Sequence, residues 1–184
     1  MKSIFRKNKK LLILTIATLV IALSGLLYQT HQDGFWSTDR LIAKYNIFRL
    51  EKSLVDNPNN TNLLLELGVN YYVARDLNKA LDTYIKITEL DSDDFMAWNN
   101  LGNVFRDLVD FWDAKDAYKR ALEINPNYIP SYINLVDLYV IWPMDEEGDK
   151  IREEITSILQ QGLKLNPENE TLQAMSKAYI STNK

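Results

Sequence analysis

Side chains that could perform catalysis or bind a metal ion are scarce in this sequence. It has no cysteine, which excludes disulfides, thiolate nucleophiles and cysteine ligands. It has one histidine, His31, whereas a zinc site usually needs several His or Cys ligands and a catalytic triad needs histidine with its partners. The acidic run 145–149 lacks the alternating ligand spacing of a calcium loop. We expect no catalytic residue, no metal site and no cofactor.

Two asparagines offer a different chemistry, namely recognition of a polypeptide. Asn100 and Asn134 are 34 residues apart. A carboxamide both donates and accepts hydrogen bonds, so a row of asparagines can bind the backbone of an extended peptide whatever its sequence. The alternative is that asparagine is simply frequent in this composition and the pair is incidental. Either way, the side chains available are suited to binding rather than to catalysis.

Charge is distributed unevenly and limits the choice of partners. The net charge is −4 overall, and residues 1–10 contribute +5, so the remainder carries −9. An acidic domain repels phosphate backbones, and we expect no nucleic-acid partner.

The sequence repeats itself with a period of 34 residues. Residues 61–94 align with 95–128, and part of the pattern continues after residue 128. The matched positions of the first unit are Leu64, Leu67, Gly68, Tyr71, Ala80 and Tyr84, and those of the second are Trp98, Leu101, Gly102, Phe105, Ala114 and Tyr118. Repetition at this length indicates a stack of similar supersecondary units.

Each unit has the pattern of two packed helices. Apolar residues at positions 4, 7, 8 and 11 form one stripe of a first helix. A glycine then removes a side chain where the second helix crosses closely. We expect a small alanine to face that glycine and a tyrosine to fill the space beside it. Asn-Pro pairs, as at 125–126 and 166–167, stop the second helix because proline disfavours helical geometry in the preceding residue.

In residues 61–169 the sequence resembles the tetratricopeptide repeat (TPR) family, and the second unit carries the pattern most fully. Its matching residues are Trp98, Leu101, Gly102, Phe105, Ala114, Tyr118, Ala121 and Pro126. The resemblance implies an all-α solenoid of antiparallel helix pairs, with about three repeats and a concave groove. It also implies a scaffold that binds proteins or peptides, not an enzyme.

The third repeat departs from the pattern. Val136 replaces the glycine, and about seven extra residues around 141–148 predict a longer loop between its helices. The predicted layout is a basic cytoplasmic tail (1–10), a transmembrane helix (11–28), a tether (29–38), a helix of an incomplete repeat (39–60), three repeats (61–94, 95–128 and 129–169) and a C-terminal capping helix (170–184).

Residues 11–28 form an uncharged apolar run of about 27 Å as a helix, close to the thickness of a bilayer core. The basic residues before it place the N-terminus in the cytoplasm. We therefore expect a single-pass protein with its repeats outside the cytoplasm, in a bacterial cell membrane. Alternatively, the run is a signal sequence cleaved before Gly25, since Ala22 and Ser24 have the required spacing, and the repeats are secreted.

The resemblance also predicts where a partner would bind. Positions 2, 6, 9 and 13 of each first helix point toward the groove, with further residues at its edge. The predicted groove residues are Asn62, Tyr72, Met96, Asn99, Asn100, Asn103, Arg106, Asn134 and Asp137. The two-carboxylate clamp of some TPR proteins is not predicted, because its basic positions hold Leu65, Val69, Pro130 and Asn134. We expect an adaptor or assembly factor; the alternative is a subunit whose repeats mediate homo-oligomerisation.

Overall fold

The computed structural model describes residues 37–142 and 148–180, which contain eight α-helices and no strand. The helices are α1 (Thr38–Leu54), α2 (Thr61–Val73), α3 (Leu77–Leu90), α4 (Phe95–Asp107), α5 (Phe111–Ile124), α6 (Ile129–Ile141), α7 (Gly148–Leu165) and α8 (Glu170–Ile180). The chain divides into two compact units, Met1–Ala43 and Lys44–Lys184.

The first unit is described only over residues 37–43, which include the first six residues of α1. Leu41 and Ile42 are exposed there and Ala43 is buried. The predicted basic tail, the apolar run 11–28 with its possible cleavage site, His31 and nearly all of the predicted tether lie outside the described residues. No helix within 37–142 or 148–180 is long and apolar enough to cross a bilayer.

The second unit is built from consecutive helix pairs. α2 packs on α3, α4 on α5 and α6 on α7, and each pair packs on the next. The connections 74–76 and 108–110 are three residues long, which makes the joined helices antiparallel neighbours. The first helices also contact each other, α4 lying between α2 and α6. The described residues therefore form an all-helical, TPR-like solenoid, as the sequence predicted.

Side-chain caps and tight turns set the helix ends. Asp94 accepts hydrogen bonds from the N–H groups of Met96 (3.0 Å) and Ala97 (2.9 Å), and so caps the start of α4. The turns after α2 and α4 each contain a non-glycine residue in the left-handed region, Arg75 (φ 64°) and Val109 (φ 68°). In each turn the next N–H reaches back five residues, as in Asp110 N–H to Phe105 C=O (2.8 Å).

Two apolar clusters make up the core of the second unit. The first contains Leu50 and Leu54 of α1 together with buried residues of α2 to α5. The second contains buried residues of α5, α6 and α7, with Leu172 of α8. Phe105 of α4 is partly buried and packs against both clusters.

The glycines of the first helices lie at close contacts with the second helices. A Cβ added at Gly102 would lie 2.6 Å from the Tyr118 ring, and one at Gly68 would lie 2.7 Å from the Tyr84 ring. The tyrosine ring itself therefore lies against the glycine. The tyrosine ring was predicted beside the glycine, and it is the nearest side chain to it in both pairs. That Ala80 and Ala114 face the glycines stays a prediction; both alanines are fully buried.

Candidate peptide-binding surface

Six side chains at equivalent positions form an array across α2, α4 and α6. Each helix contributes positions 6 and 9 of its repeat, which are one turn apart and so share a face. We call this set the groove array: Glu66 and Val69 of α2, Asn100 and Asn103 of α4, and Asn134 and Asp137 of α6. All six are partly or fully exposed. Since α2, α4 and α6 are neighbours, the array runs across the helices rather than along one of them.

The three asparagines of the groove array keep hydrogen-bonding capacity for a ligand. Asn103 Oδ1 accepts from the Tyr118 hydroxyl (2.8 Å), which leaves its Nδ2 group for a partner. Asn134 Nδ2 donates to Asn99 Oδ1 (3.0 Å), which leaves its own Oδ1. Among the described residues, no side-chain hydrogen bond engages the Asn100 amide. Donors and an acceptor are therefore available on adjacent helices, as an extended peptide backbone requires.

Asn99 requires a correction, because the structure removes it from the accessible groove. Its side chain is only 3 % exposed. Its Oδ1 accepts from the Ser131 hydroxyl (2.9 Å) and from Asn134 Nδ2, so that it joins α4 to α6. The same position holds Leu65 and Ile133 in the other repeats, and both pack against the core clusters. That apolar pattern was the signal in the sequence for burial at this position.

The ends of the first helices frame the groove array with different chemistry. At their N-terminal ends lie the predicted residues Asn62 and Met96, both exposed. At their C-terminal ends, position 13 holds exposed Val73 and Ile141 in the outer helices but the acidic Asp107 in α4. The polar centre of the array is thus bordered by apolar side chains on α2 and α6.

A charged cluster joins the C-terminal ends of α2 and α4. Asp107 accepts hydrogen bonds from Arg75 Nη1 (2.6 Å), from the Tyr72 hydroxyl (2.9 Å) and from Arg106 Nη2 (3.1 Å). Arg106 also donates to the Tyr72 hydroxyl (3.2 Å). The predicted groove residues Tyr72 and Arg106 are therefore engaged with each other and hold the ends of two first helices together. The sequence analysis did not include Arg75, whose position in a left-handed turn gives no periodic signal.

Local electrostatics favour the ionised form of Asp107. Burial alone would raise its pKa, but the hydrogen bonds from Arg75, Tyr72 and Arg106 outweigh burial and the pKa lies below its ordinary value. Burial and the bond to Asp107 raise the pKa of Tyr72, so its hydroxyl remains protonated and donates. At neutral pH the cluster therefore pairs one carboxylate with two guanidinium groups.

Two cavities among the described residues lie along the second helices. One of about 650 Å³ is lined by α3, α4 and α5, including Ile85, Trp98 and Arg120. Another of about 710 Å³ is lined by residues of α5, α6 and α7, including Trp112, Lys115 and Tyr139. Neither is lined by a member of the groove array.

Comparison with known proteins agrees with this arrangement of helices. A family profile described as tetratricopeptide repeat matches residues 95–128, the segment that contains α4 and α5. The match supports the TPR family. The described helices resemble the crystal structure of MamA with a TM-score of 0.61 at 22% identity, covering 74% of this chain and 75% of that one. They also resemble the first TPR of Spaghetti (RPAP3) bound to the HSP90 peptide SRMEEVD, with a TM-score of 0.55 at 19% identity, covering 66% and 94%. At these identities the likeness shows the fold.

One of the proteins with a similar sequence is named as an enzyme. The human Protein O-mannosyl-transferase TMTC3 is 24% identical over 194 residues, which cover 98% of this chain but 19% of that protein. The chain thus spans about a fifth of the length of this curated relative. Within residues 37–142 and 148–180 the chain has no group of three or more His, Asp or Glu side chains that could hold a metal ion. The fold that the comparisons support is of the scaffold type, which is typically non-catalytic.

Proposed function

We propose that this protein is a membrane-anchored TPR scaffold that holds an extended segment of a partner protein on its groove array. It would act as an adaptor or assembly factor at the extracytoplasmic membrane surface. The observation that carries the proposal is the remaining hydrogen-bonding capacity of three asparagines on two adjacent first helices, namely the Asn100 amide, Nδ2 of Asn103 and Oδ1 of Asn134. The fold likeness to a TPR domain that binds a peptide supports it.

The spacing of the helices suits an extended chain. Packed helices lie about 8–10 Å apart. An extended strand advances about 3.3 Å per residue, so roughly every third residue of a peptide would meet the next helix. A segment of about seven residues would then cross α2, α4 and α6. Because the amides contact backbone groups, affinity would depend little on peptide sequence, and Met96, Val73 and Ile141 would add an apolar preference.

Anchoring by residues 11–28 completes the proposal. That run is uncharged and long enough to cross a bilayer, and basic residues precede it. Holding the groove near the membrane would raise the local concentration of the groove for a membrane-bound partner, which strengthens binding without new contacts.

Site-specific photocrosslinking in native membranes tests the groove. A photoreactive amino acid would replace Met96, an exposed residue beside the groove array, or Ile85, an equally apolar exposed residue on the second-helix face. We expect an adduct with one partner at position 96 and none at position 85. The double variant Asn100→Ala/Asn134→Ala should abolish the adduct. Asn59→Ala/Asn78→Ala removes two exposed asparagines outside the groove and should leave it intact.

Two results would contradict the groove proposal. Equal adducts at positions 85 and 96 would show that no particular face is used. An adduct composed only of the protein itself would favour the alternative of a self-assembling subunit, in which the repeats mediate homo-oligomerisation.

A further inference from the structure

α1 is the first helix that the structure describes, and its outer face is apolar. Tyr45 is 63 % exposed, Phe48 69 % and Val55, just past the helix, 75 %. Tyr45, Phe48 and Lys52 recur at steps of three and four residues, so they lie on one stripe of α1, and Val55 follows in the turn at its end. The opposite side of α1, with Leu50 and Leu54, packs on the first core cluster. Terminal helices of solenoids normally present a polar outer face to water, so we expect this apolar stripe to contact another surface.

The charge of α1 differs from that of the helices that follow. α1 contains four basic and two acidic residues, whereas residues 61–180 contain 11 basic and 21 acidic ones. Arg49 and Lys52 are exposed and lie beside or within the apolar stripe. Basic side chains around an apolar, aromatic face are typical of helices that lie in the interface of an anionic membrane. The long stems of Arg and Lys can then lie on the apolar layer while their charges reach the head groups.

The position of α1 in the chain matches that environment. Nine residues separate the end of the apolar run at residue 28 from the start of α1 at Thr38. Nine residues extend to at most about 30 Å. If residues 11–28 span the bilayer, α1 is therefore the helix kept nearest to its surface.

From these observations we infer that the outer face of α1, formed by Tyr45, Phe48, Lys52 and Val55, lies on the surface of an anionic lipid bilayer. The inference rests on the proposed anchoring by residues 11–28. It adds that the tether leads into a second membrane contact, which would limit how the groove array can turn relative to the membrane. A second copy of the chain would be a less favourable partner for this face. Symmetric pairing of two α1 faces would bring Arg49 and Lys52 of one copy toward those of the other.

Fluorescence quenching in reconstituted vesicles tests the inference. The full chain has no cysteine, so Phe48→Cys offers one labelling position, and the exposed Thr171→Cys in α8 offers a control. Each would carry an environment-sensitive NBD probe, in vesicles of phosphatidylcholine and phosphatidylglycerol. We expect a blue shift at position 48 and loss of most of its emission when the lipids carry a doxyl quencher, with no change at position 171. Phe48 is largely exposed, so its replacement removes little packing.

A matched pair of charge reversals distinguishes a contact with the membrane from a contact with another protein surface. Lys52→Glu and Lys164→Glu each reverse one basic residue in the last turn of a helix. We expect Lys52→Glu to reduce lipid quenching at position 48 and Lys164→Glu to leave it unchanged. Equal effects of the two reversals would overturn the inference, because the contact would then not involve this face.

Flotation of the vesicles distinguishes failure of the inference from failure of the anchor. If the full chain does not float with vesicles, anchoring is wrong and the inference falls with it. If it floats but the probe at position 48 stays open to aqueous iodide, anchoring stands and the inference is wrong. The probe could instead be shielded from iodide and unaffected by lipid quenchers, and become accessible to iodide as the protein is diluted in lipid. That result would identify a second copy of the chain as the partner of this face and would also overturn the inference.

Discussion

The second and third helix pairs have different residues at equivalent positions of the contact between their two helices. In α4 and α5, Gly102 lies against the ring of Tyr118, which is fully buried. In α6 and α7 the equivalent positions, allowing for the insertion, hold Val136 and Leu159, both fully buried in one cluster. A very small and a very large residue are thus replaced by two of middle size. The pairs therefore divide the side-chain volume at these positions differently, and glycine is not required in every pair.

The third pair places its close approach at another point. A Cβ added at Gly162 of α7 would lie 3.1 Å from Tyr132 of α6 and 3.1 Å from Leu172 of α8. The glycine there lies on the second helix and the aromatic ring on the first. The roles of the two helices at this contact are therefore exchanged relative to the pair before.

Placing residues like those of the third helix pair in the second pair should have the largest effect on stability. Gly102→Val alone would force a side chain into the buried Tyr118 ring, and we expect a loss of about 3 kcal/mol in the free energy of unfolding. Adding Tyr118→Leu should restore about 2 kcal/mol, because the two changes share one space. Urea unfolding of the single and double variants measures the coupling. Gly68→Val with and without Tyr84→Leu serves as the parallel case in the first pair, and simple additivity in both would refute the volume argument.

The ends of α4 and α6 differ in charge, and this difference is open to a pH test. Arg106 and Asp107 of α4 correspond to exposed Val140 and Ile141 of α6. We expect Asp107→Asn to lower the stability by about 1–2 kcal/mol at pH 7, since it weakens hydrogen bonds from Tyr72 and Arg106. The bond from Arg75 should add little, because that side chain is half exposed and screened by water.

The sign of the pH dependence follows from the lowered pKa of folded Asp107. The stabilisation is fully present above the unfolded value of about 4 and is lost as the pH falls through the lower folded value. The gap in melting temperature between wild type and Asp107→Asn should therefore close in acid. Asp82→Asn, at an exposed position on α3, controls for a general loss of charge. A gap that is independent of pH would show that the Asp107 charge is not what stabilises the cluster.

The smallest expected effect concerns the turns. α4 ends in a turn that holds Val109 at φ 68°, whereas Trp142 at the end of α6 is extended. A left-handed conformation is costly for a β-branched residue, and glycine adopts it freely. We expect Val109→Gly to raise the stability by about 0.5–1 kcal/mol. Ala74→Gly, at a right-handed position in the preceding turn, should instead lower it by a similar amount. Thermal unfolding compares the two, and equal losses would mean that Val109 is not strained.

Much of the fold could be predicted from the sequence because its signals are local and repeated. The stripe at positions 4, 7, 8 and 11 and the glycines at 68 and 102 determine helix pairs whatever their neighbours are. The burial of Asn99 and the participation of Arg75 could not be read in that way. Both depend on the contact between one first helix and the next, and that contact places an amide against Ser131 in one case and a turn residue against Asp107 in the other.

Phe105 packs against both core clusters, and this has a consequence for cooperativity. In a stacked-helix domain the stability is approximately a sum of nearest-neighbour terms, so the halves melt together only as far as the junction couples them. A ring shared between the clusters makes loosening of either half cost contacts in the other. Opening of the last helices by a ligand or by heat would thus reach α2 and α3 through Phe105, through α5, which has residues in both clusters, and through the hydrogen bonds of Asn99 to α6.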